Sequence, residues 1–177
     1  MNALQAALKF TLHEEGGWVD NPADHGGPTN HGITQATYDS YRKSKDRPLV
    51  TVRFIATQEL EDIYRGMYWW PAGCVAMPLQ LAVCHFDWAV NHGPVGAIKT
   101  LQEALEVEVD GVIGAHTLRA MSDAYDESPE ELLDTYCALR RDFYVEDVAK
   151  DPSQRVFEKD WLGRDERVRT YVNSLEV

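Results

Sequence analysis

Positive charge is scarce in this chain. Lysine and arginine number 17 against 29 aspartates and glutamates, a formal net charge of -12. A nucleic-acid binder needs a basic face, so this balance argues against nucleic acid as a partner. Cysteine is scarcer still. Cys74, Cys84 and Cys137 are odd in number and lack metal-ligand spacing, so they read as reduced core thiols. No apolar run approaches the roughly 20 residues of a membrane span. The opening segment, Met1 to Lys9, has no basic n-region, and its apolar residues alternate with polar ones. A secretory signal is therefore not expected there, and synthesis in the cytoplasm is. His-Glu-x-x-His and His-x-x-Glu-His spacings are missing, so His25 and His31 read as loop histidines and no metal or other cofactor is expected. Repeats, low-complexity segments and convincing strand alternation are missing too.

What is present is helical punctuation. The 177 residues suit one compact domain or two closely packed lobes. Thr34 can cap a helix through Tyr41, and Thr57 another with Leu60, Ile63, Tyr64 and Met67 on one face. Leu79, Val83, Phe86 and Val90 mark a buried helix that stops at Gly93-Pro94. Ser128-Pro129-Glu130-Glu131 is a capping box that opens a long helix through about Val148. The fold class expected is mainly α, with a short β-hairpin allowed in the glycine-rich loop after Gly16.

The first helix carries the most chemistry. Leu4, Leu8 and Leu12 recur every four residues, with Ala7 and Thr11 beside them. At roughly 100° per residue, Glu15 falls about 20° from Leu4, in the middle of this apolar stripe. Glu14 falls roughly 100° away and should be solvated. Gly16-Gly17 then ends the helix, since glycine tolerates the left-handed geometry of a C-terminal cap. A carboxyl partly withdrawn from water holds its proton more firmly, as a general acid must. The alternative for Glu15 is a solvated charge on a frayed last turn.

The loop that follows holds a second carboxylate, Asp24, and a hydroxyl, Thr29. A pair of carboxyls across a cleft is what glycosidic cleavage needs. Asp24 is equally a turn former that bonds the next amides. Trp18 and Trp70 are candidates for stacking a sugar, with core packing the alternative and one of Trp69 and Trp70 expected in the core. Asn91 can bind an acetamido group or simply cap its helix. Asn30 completes the substrate-binding candidates. Arg140, Arg141, Arg164, Arg167 and Arg169 could form a basic patch, or pair with Asp142, Asp165 and Glu166.

Glu15-Gly16-Gly17 followed by Asp24-His25-Gly26-Gly27-Pro28-Thr29-Asn30-His31-Gly32-Ile33-Thr34 resembles the N-terminal motif of the glycoside hydrolase 108 family, bacterial and prophage N-acetylmuramidases. The resemblance implies that Glu15 is the catalytic acid. The spacing is also similar to that of phage-type lysozymes, which have five residues between aspartate and threonine; here four separate Asp24 from Thr29. Phe86-Asp87-Trp88-Ala89-Val90-Asn91-His92-Gly93-Pro94 and the run from Val109 to Leu118 resemble the peptidoglycan-binding region of the same family. So does the ending Phe157 to Arg164, with Lys159-Asp160 where family peptides carry glycine.

This resemblance implies a lysozyme-like muramidase of prophage or endolysin type. Residues 1–92 would be the catalytic region and 93–177 a peptidoglycan-binding-like helical region, packed as one compact unit. Peptidoglycan glycan strands would be the substrate. Glu15 would protonate the leaving oxygen, and Asp24 with Thr29 would position water or stabilise positive charge. A lytic transglycosylase, or a wall-binding or secretion-assisting module without catalysis, are the alternatives. Release to the wall would depend on a holin or on host lysis.

Overall fold

The structure, a computed structural model, describes residues 2–20 and 27–175. Helix α1 (Ala3–Glu14) opens on a capping box in which Asn2 Oδ1 accepts from Gln5 N (2.9 Å) and Gln5 Oε1 accepts from Asn2 N (3.2 Å). It buries Leu4, Ala7, Leu8 and Thr11, the stripe read from the periodicity. Gly16, at φ 72°, ends it as expected. Three two-residue strands follow: β1 (Trp18–Val19), β2 (Thr29–Asn30) and β3 (Ile33–Thr34). They form one antiparallel sheet in that order, Trp18 opposite Asn30 and Thr29 opposite Thr34.

β3 runs straight into α2 (Gln35–Ser44), whose first turn is capped by Thr34 through the Thr37 amide (3.2 Å). A 3-10 turn at Val52–Phe54 leads to α3 (Thr57–Tyr64). The cap of α3 is Ala56, not Thr57 as expected from sequence. Ala56 has no side-chain acceptor to offer the first turn; the Glu59 carboxylate instead reaches back and accepts from the Ala56 amide (3.5 Å). The same buried carboxylate accepts from the Tyr38 hydroxyl and pairs with Arg42 (2.8 Å) and Arg47 (3.0 Å), fastening α2 to α3. A π-helical turn, Arg65–Trp69, continues α3.

Helix α4 (Leu79–His92) is the centre of the molecule, and every residue from Leu81 to Ala89 is buried. Helices α1, α5 (Pro94–Ala104), α7 (Pro129–Lys150) and α8 (Arg155–Asn173) pack around it, and α6 (Ala115–Glu127) lies on α7. The long helix opens as expected, with Ser128 Oγ accepting from the Glu131 amide (3.3 Å). The three cysteines are buried free thiols; the Cys84 and Cys137 sulfurs are 3.7 Å apart. His85 is also core, bonded through its ring nitrogens to the Tyr136 hydroxyl (2.9 Å) and Ala72 carbonyl (3.0 Å).

Helix α8 runs back along α1. Tyr171 stacks on Phe10 and donates to the Ala6 carbonyl (3.1 Å), Arg167 meets Glu14, and Arg164 meets Glu15. The last helix therefore descends antiparallel to the first and reaches the end of α1 where the glycine loop begins.

Candidate active site

Glu15 is the C-cap of α1, its amide still bonded to the Thr11 carbonyl (2.9 Å). Its side chain is 22% exposed, poised between core and solvent. Oε1 accepts from Arg164 Nη2 (2.9 Å). Oε2 faces Gly32, at the tight turn between β2 and β3: a methyl group built on Gly32 would lie 3.1 Å from Oε2 and 2.7 Å from the Tyr64 hydroxyl. Only a glycine at φ 74° lets backbone and carboxylate approach this closely. Tyr64 donates to the His31 carbonyl (2.7 Å), which holds that turn against Glu15. Burial pushes the phenols of Tyr64 and Tyr68 up, and the Glu15 carboxylate beside them pushes further.

Arg164 is the top of a buried ladder of alternating charge. Its Nε and Nη2 donate to Asp87 Oδ1 (3.1 and 2.8 Å). Asp87 Oδ2 accepts from Arg140 Nη2 (2.9 Å). Arg140 Nε stands 3.1 Å from Asp165 Oδ1, an ion pair aligned too poorly for a hydrogen bond. Arg141 closes the ladder on Asp165 Oδ2 (2.9 Å). Arg140 is fully buried between Asp87 and Asp165, each a carboxylate that offsets its charge, and Arg164 and Arg141 carry the ladder out towards solvent. Burial opposes the charge on Arg164, but Asp87 and Glu15 outweigh it and raise its pKa. Burial raises that of Asp165 despite its two arginines. The ladder ties α4, α7 and α8 to the end of α1 and fixes where Glu15 points.

Of the two readings of the arginines, pairing holds among the described residues and a basic patch does not, although Asp165 alone of the expected partners is used. Arg140, Arg141 and Arg164 belong to the ladder, Arg167 forks onto Glu14 (2.9 and 2.6 Å), and Arg169 pairs with Asp134. Glu14 is also a correction. Its side chain is only 9% exposed rather than solvated, because Arg167 covers it.

The other candidates separate. Asp24 lies outside the described residues. Thr29 sits in the sheet with its hydroxyl donating to the Gly27 carbonyl (3.1 Å). Trp18, half-buried beside it, carries the Arg53 guanidinium over its ring (5.8 Å). Asn30 is buried and spends its amide on the Val52 and Arg53 carbonyls (3.2 and 3.1 Å), so it fastens the sheet and has no donor left for a glycan. Trp69 is core, whereas Trp70 is exposed in a separate hollow with Val75, Val112 and Ile113. Asn91 is exposed one turn beyond Asp87, its Nδ2 bonded to the Asp87 carbonyl (2.7 Å). The run from Asp110 is a structural turn: Asp110 and Gln102 share its amides. Sequence reasoning missed the Arg164 pairing with Glu15, and Tyr64 and Tyr68 beside it. The legible signal was Asp87, a charge in an otherwise apolar helix, which cannot be buried without a cation.

A helical frame whose first helix ends on a carboxylate, set against a small antiparallel sheet, is the lysozyme-like fold. The glycosyl hydrolase 108 family model matches residues 8–93, and the predicted peptidoglycan domain model matches 96–166. A solved structure of Brucella abortus SagA is 31% identical, with 97% of this chain and 94% of that chain covered and a TM-score of 0.74. No curated protein matches the chain. The chain belongs to the glycosyl hydrolase 108 family. It is a glycoside hydrolase with a peptidoglycan-binding region, and peptidoglycan is its substrate.

Proposed function

We propose that this hydrolase is an N-acetylmuramidase, cleaving the β-1,4 bond between N-acetylmuramic acid and N-acetylglucosamine. The observation that carries the reading is the division of labour on Glu15: Arg164 holds Oε1, and Oε2 is left facing the Gly32 turn. Oε2 would give its proton to the glycosidic oxygen as the C1–O bond breaks. Arg164 would then balance the carboxylate formed, within a site that does not reorganise. Positive charge develops at C1 of the muramoyl unit as N-acetylglucosamine leaves with the protonated O4, and water adds at C1. Asp24 takes the proton of that water. Thr29, whose hydroxyl donates to Gly27, offers its oxygen to the same water. No cofactor enters this chemistry. In a phage or prophage setting the enzyme would be made in the cytoplasm and reach the wall through a holin or host lysis.

Mass spectrometry of products from purified peptidoglycan tests this. Reducing ends at muramic acid with intact peptide stems are expected. A 1,6-anhydro end would identify a lytic transglycosylase, free amino groups an amidase or peptidase, and binding without sugar release a non-catalytic wall module.

A further inference from the structure

One turn beyond the charge ladder the same three helices enclose a second cavity, of about 260 Å³. Its walls are Phe143 and Tyr144 on α7 and Trp161 on α8; its polar groups are Asn91 and His92 at the end of α4 and Asp147 on α7. The register follows from helical spacing. Asn91 stands four residues after Asp87, Tyr144 four after Arg140, and Trp161 three before Arg164. Each step is one turn, about 5 Å along the helix. Because α8 runs antiparallel to α1, the step from Arg164 to Trp161 leads past the end of α1, towards Gly16-Gly17. The cavity therefore lies about one helical turn from Arg164, past the end of α1 that carries Glu15.

Its chemistry is amphipathic. Tyr144 stacks on Trp161 (5.1 Å between ring centres, 19° between planes) and Trp161 on Phe157 (5.8 Å, 29°). The aromatic run leads from the core to the surface, where Phe157 is half exposed. His92 is held between Trp88 (4.9 Å) and Phe143 (3.9 Å). Burial lowers the His92 pKa, partly offset by Asp147, so the imidazole is neutral at neutral pH and can both donate and accept. Asn91 is pinned through Nδ2, and its Oδ1 accepts from no described residue. Apolar faces with a few fixed polar groups suit a ligand that has one apolar face and a rim of hydroxyl and amide groups. A pyranose ring with an acetamido substituent is such a ligand.

The stem peptide, which only the muramoyl unit carries, selects between the two sugars of the strand. Asp147 is the charged group of the cavity, and the neighbouring arginines are already spent: Arg140 on Asp87 and Asp165, Arg164 on Glu15 and Asp87. In the strand the muramoyl lactyl group is amide-linked to a peptide stem, whose bulk and carboxylates would meet Asp147 in a cavity of about 260 Å³ lined by no lysine or arginine among the described residues. N-acetylglucosamine is neutral.

We propose that this cavity is a glycan subsite for an N-acetylglucosamine residue of the strand, contacted by Asn91, Asp147 and the Phe143–Trp161 aromatic walls. The choice of strand rests on the muramidase reading; the preference for a neutral N-acetylhexosamine rests on the cavity. It also gives part of the 96–166 match a use, since Phe143, Tyr144, Asp147 and Trp161 all fall within it.

The test is titration of Glu15→Gln, expected to turn substrate over about 10²–10⁴-fold more slowly, with tri-N-acetylchitotriose, followed by tryptophan fluorescence. Saturable binding is expected, weakened about tenfold or more by adding Asn91→Ala or Phe143→Ala, with N-acetylmuramic acid a poor competitor. On the wild-type background either substitution should raise KM for peptidoglycan about tenfold and leave kcat within a few-fold, the pattern of lost binding. Asn91 is exposed, so its variant keeps the test alive if Phe143→Ala does not fold. Unchanged Kd and KM in Asn91→Ala overturn the subsite even where the product analysis supports a muramidase. Muramic acid binding as well as the trimer overturns the neutral-sugar assignment. Asn91-dependent binding of the trimer together with no glycan cleavage supports the subsite and removes the muramidase reading alone.

Discussion

Replacing Gly32 by alanine tests the contact on which the catalytic reading depends. Gly32 has φ 74°, and a left-handed alanine costs roughly 1–2 kcal/mol. The new methyl would stand 2.7 Å from the Tyr64 hydroxyl, which must retreat. Tyr64 is buried, and its retreat weakens the 2.7 Å bond to the His31 carbonyl, worth about 1 kcal/mol. The sum is about 2–3 kcal/mol, a fall in Tm of roughly 5–10 °C for a chain of this size. The methyl also stands 3.1 Å from Glu15 Oε2, tight enough to displace it by a few tenths of an ångström. Misplacement of about 1 Å can cost about 10²-fold in rate, so a loss of roughly tenfold or more is expected here.

Gly27→Ala is the control. It has φ 70° but no neighbour within 4 Å of the new methyl among the described residues, so it should lose the backbone strain alone. Tyr64→Phe combined with Gly32→Ala removes one clash and should recover part of the melting temperature but not the rate, since Oε2 is still crowded. The assays are thermal melts and dye release from labelled cell wall. If Gly32→Ala melted like Gly27→Ala and kept full activity, Oε2 would not be the working oxygen.

Glu15→Gln should lose 10²–10⁴-fold in turnover yet stay folded, because Arg164 keeps Asp87; Glu14→Gln loses only its link to the half-exposed Arg167 and should stay within a few-fold in wall lysis. An active Glu15→Gln would end the acid assignment. Lysis should speed up with added monovalent salt from the lowest concentrations, since a chain of net charge -12 approaches an anionic wall with Arg164, Arg167 and Arg169 already paired; a rate that fell steadily with salt would reveal a basic docking face. His85 is fully buried and its pKa falls to about 4, below the ordinary 6.5, chiefly through burial. A depressed histidine contributes stability that is fully present above about pH 6.5 and is lost as pH falls through about 4, on the order of 3 kcal/mol. His85→Gln should therefore show a shallower fall in Tm between pH 7 and pH 4 than the wild type, and equal slopes would remove His85 from the acid response.

Much of the local structure was legible in the residues alone. The four-residue recurrence of Leu4, Leu8 and Leu12 put Glu15 on the inner face, and Gly16-Gly17 put it at the helix end, where it stands. Ser128-Pro129 and Gly93-Pro94 marked helix boundaries for the same reason: backbone geometry and capping depend on neighbours in the chain. Periodicity states which face of a helix turns inward, but not what it meets. Glu14 was expected in water and lies under Arg167; Arg164 read as surface charge and holds Glu15 from 149 residues away. Asn30, Trp18 and Trp70 were grouped by residue type and are dispersed by packing onto a sheet fastening, a cation contact and a separate hollow. Asp87 could be known to need a partner, because a buried charge does, yet that Arg140 and Arg164 both supply it depended on α7 and α8 closing over α4. The sequence by itself determined α1, α4, the opening of α7 and the placing of Glu15 at the end of α1. The tertiary structure alone decided which charges face one another, since such pairs are set by docking helices far apart in the chain and not by local geometry.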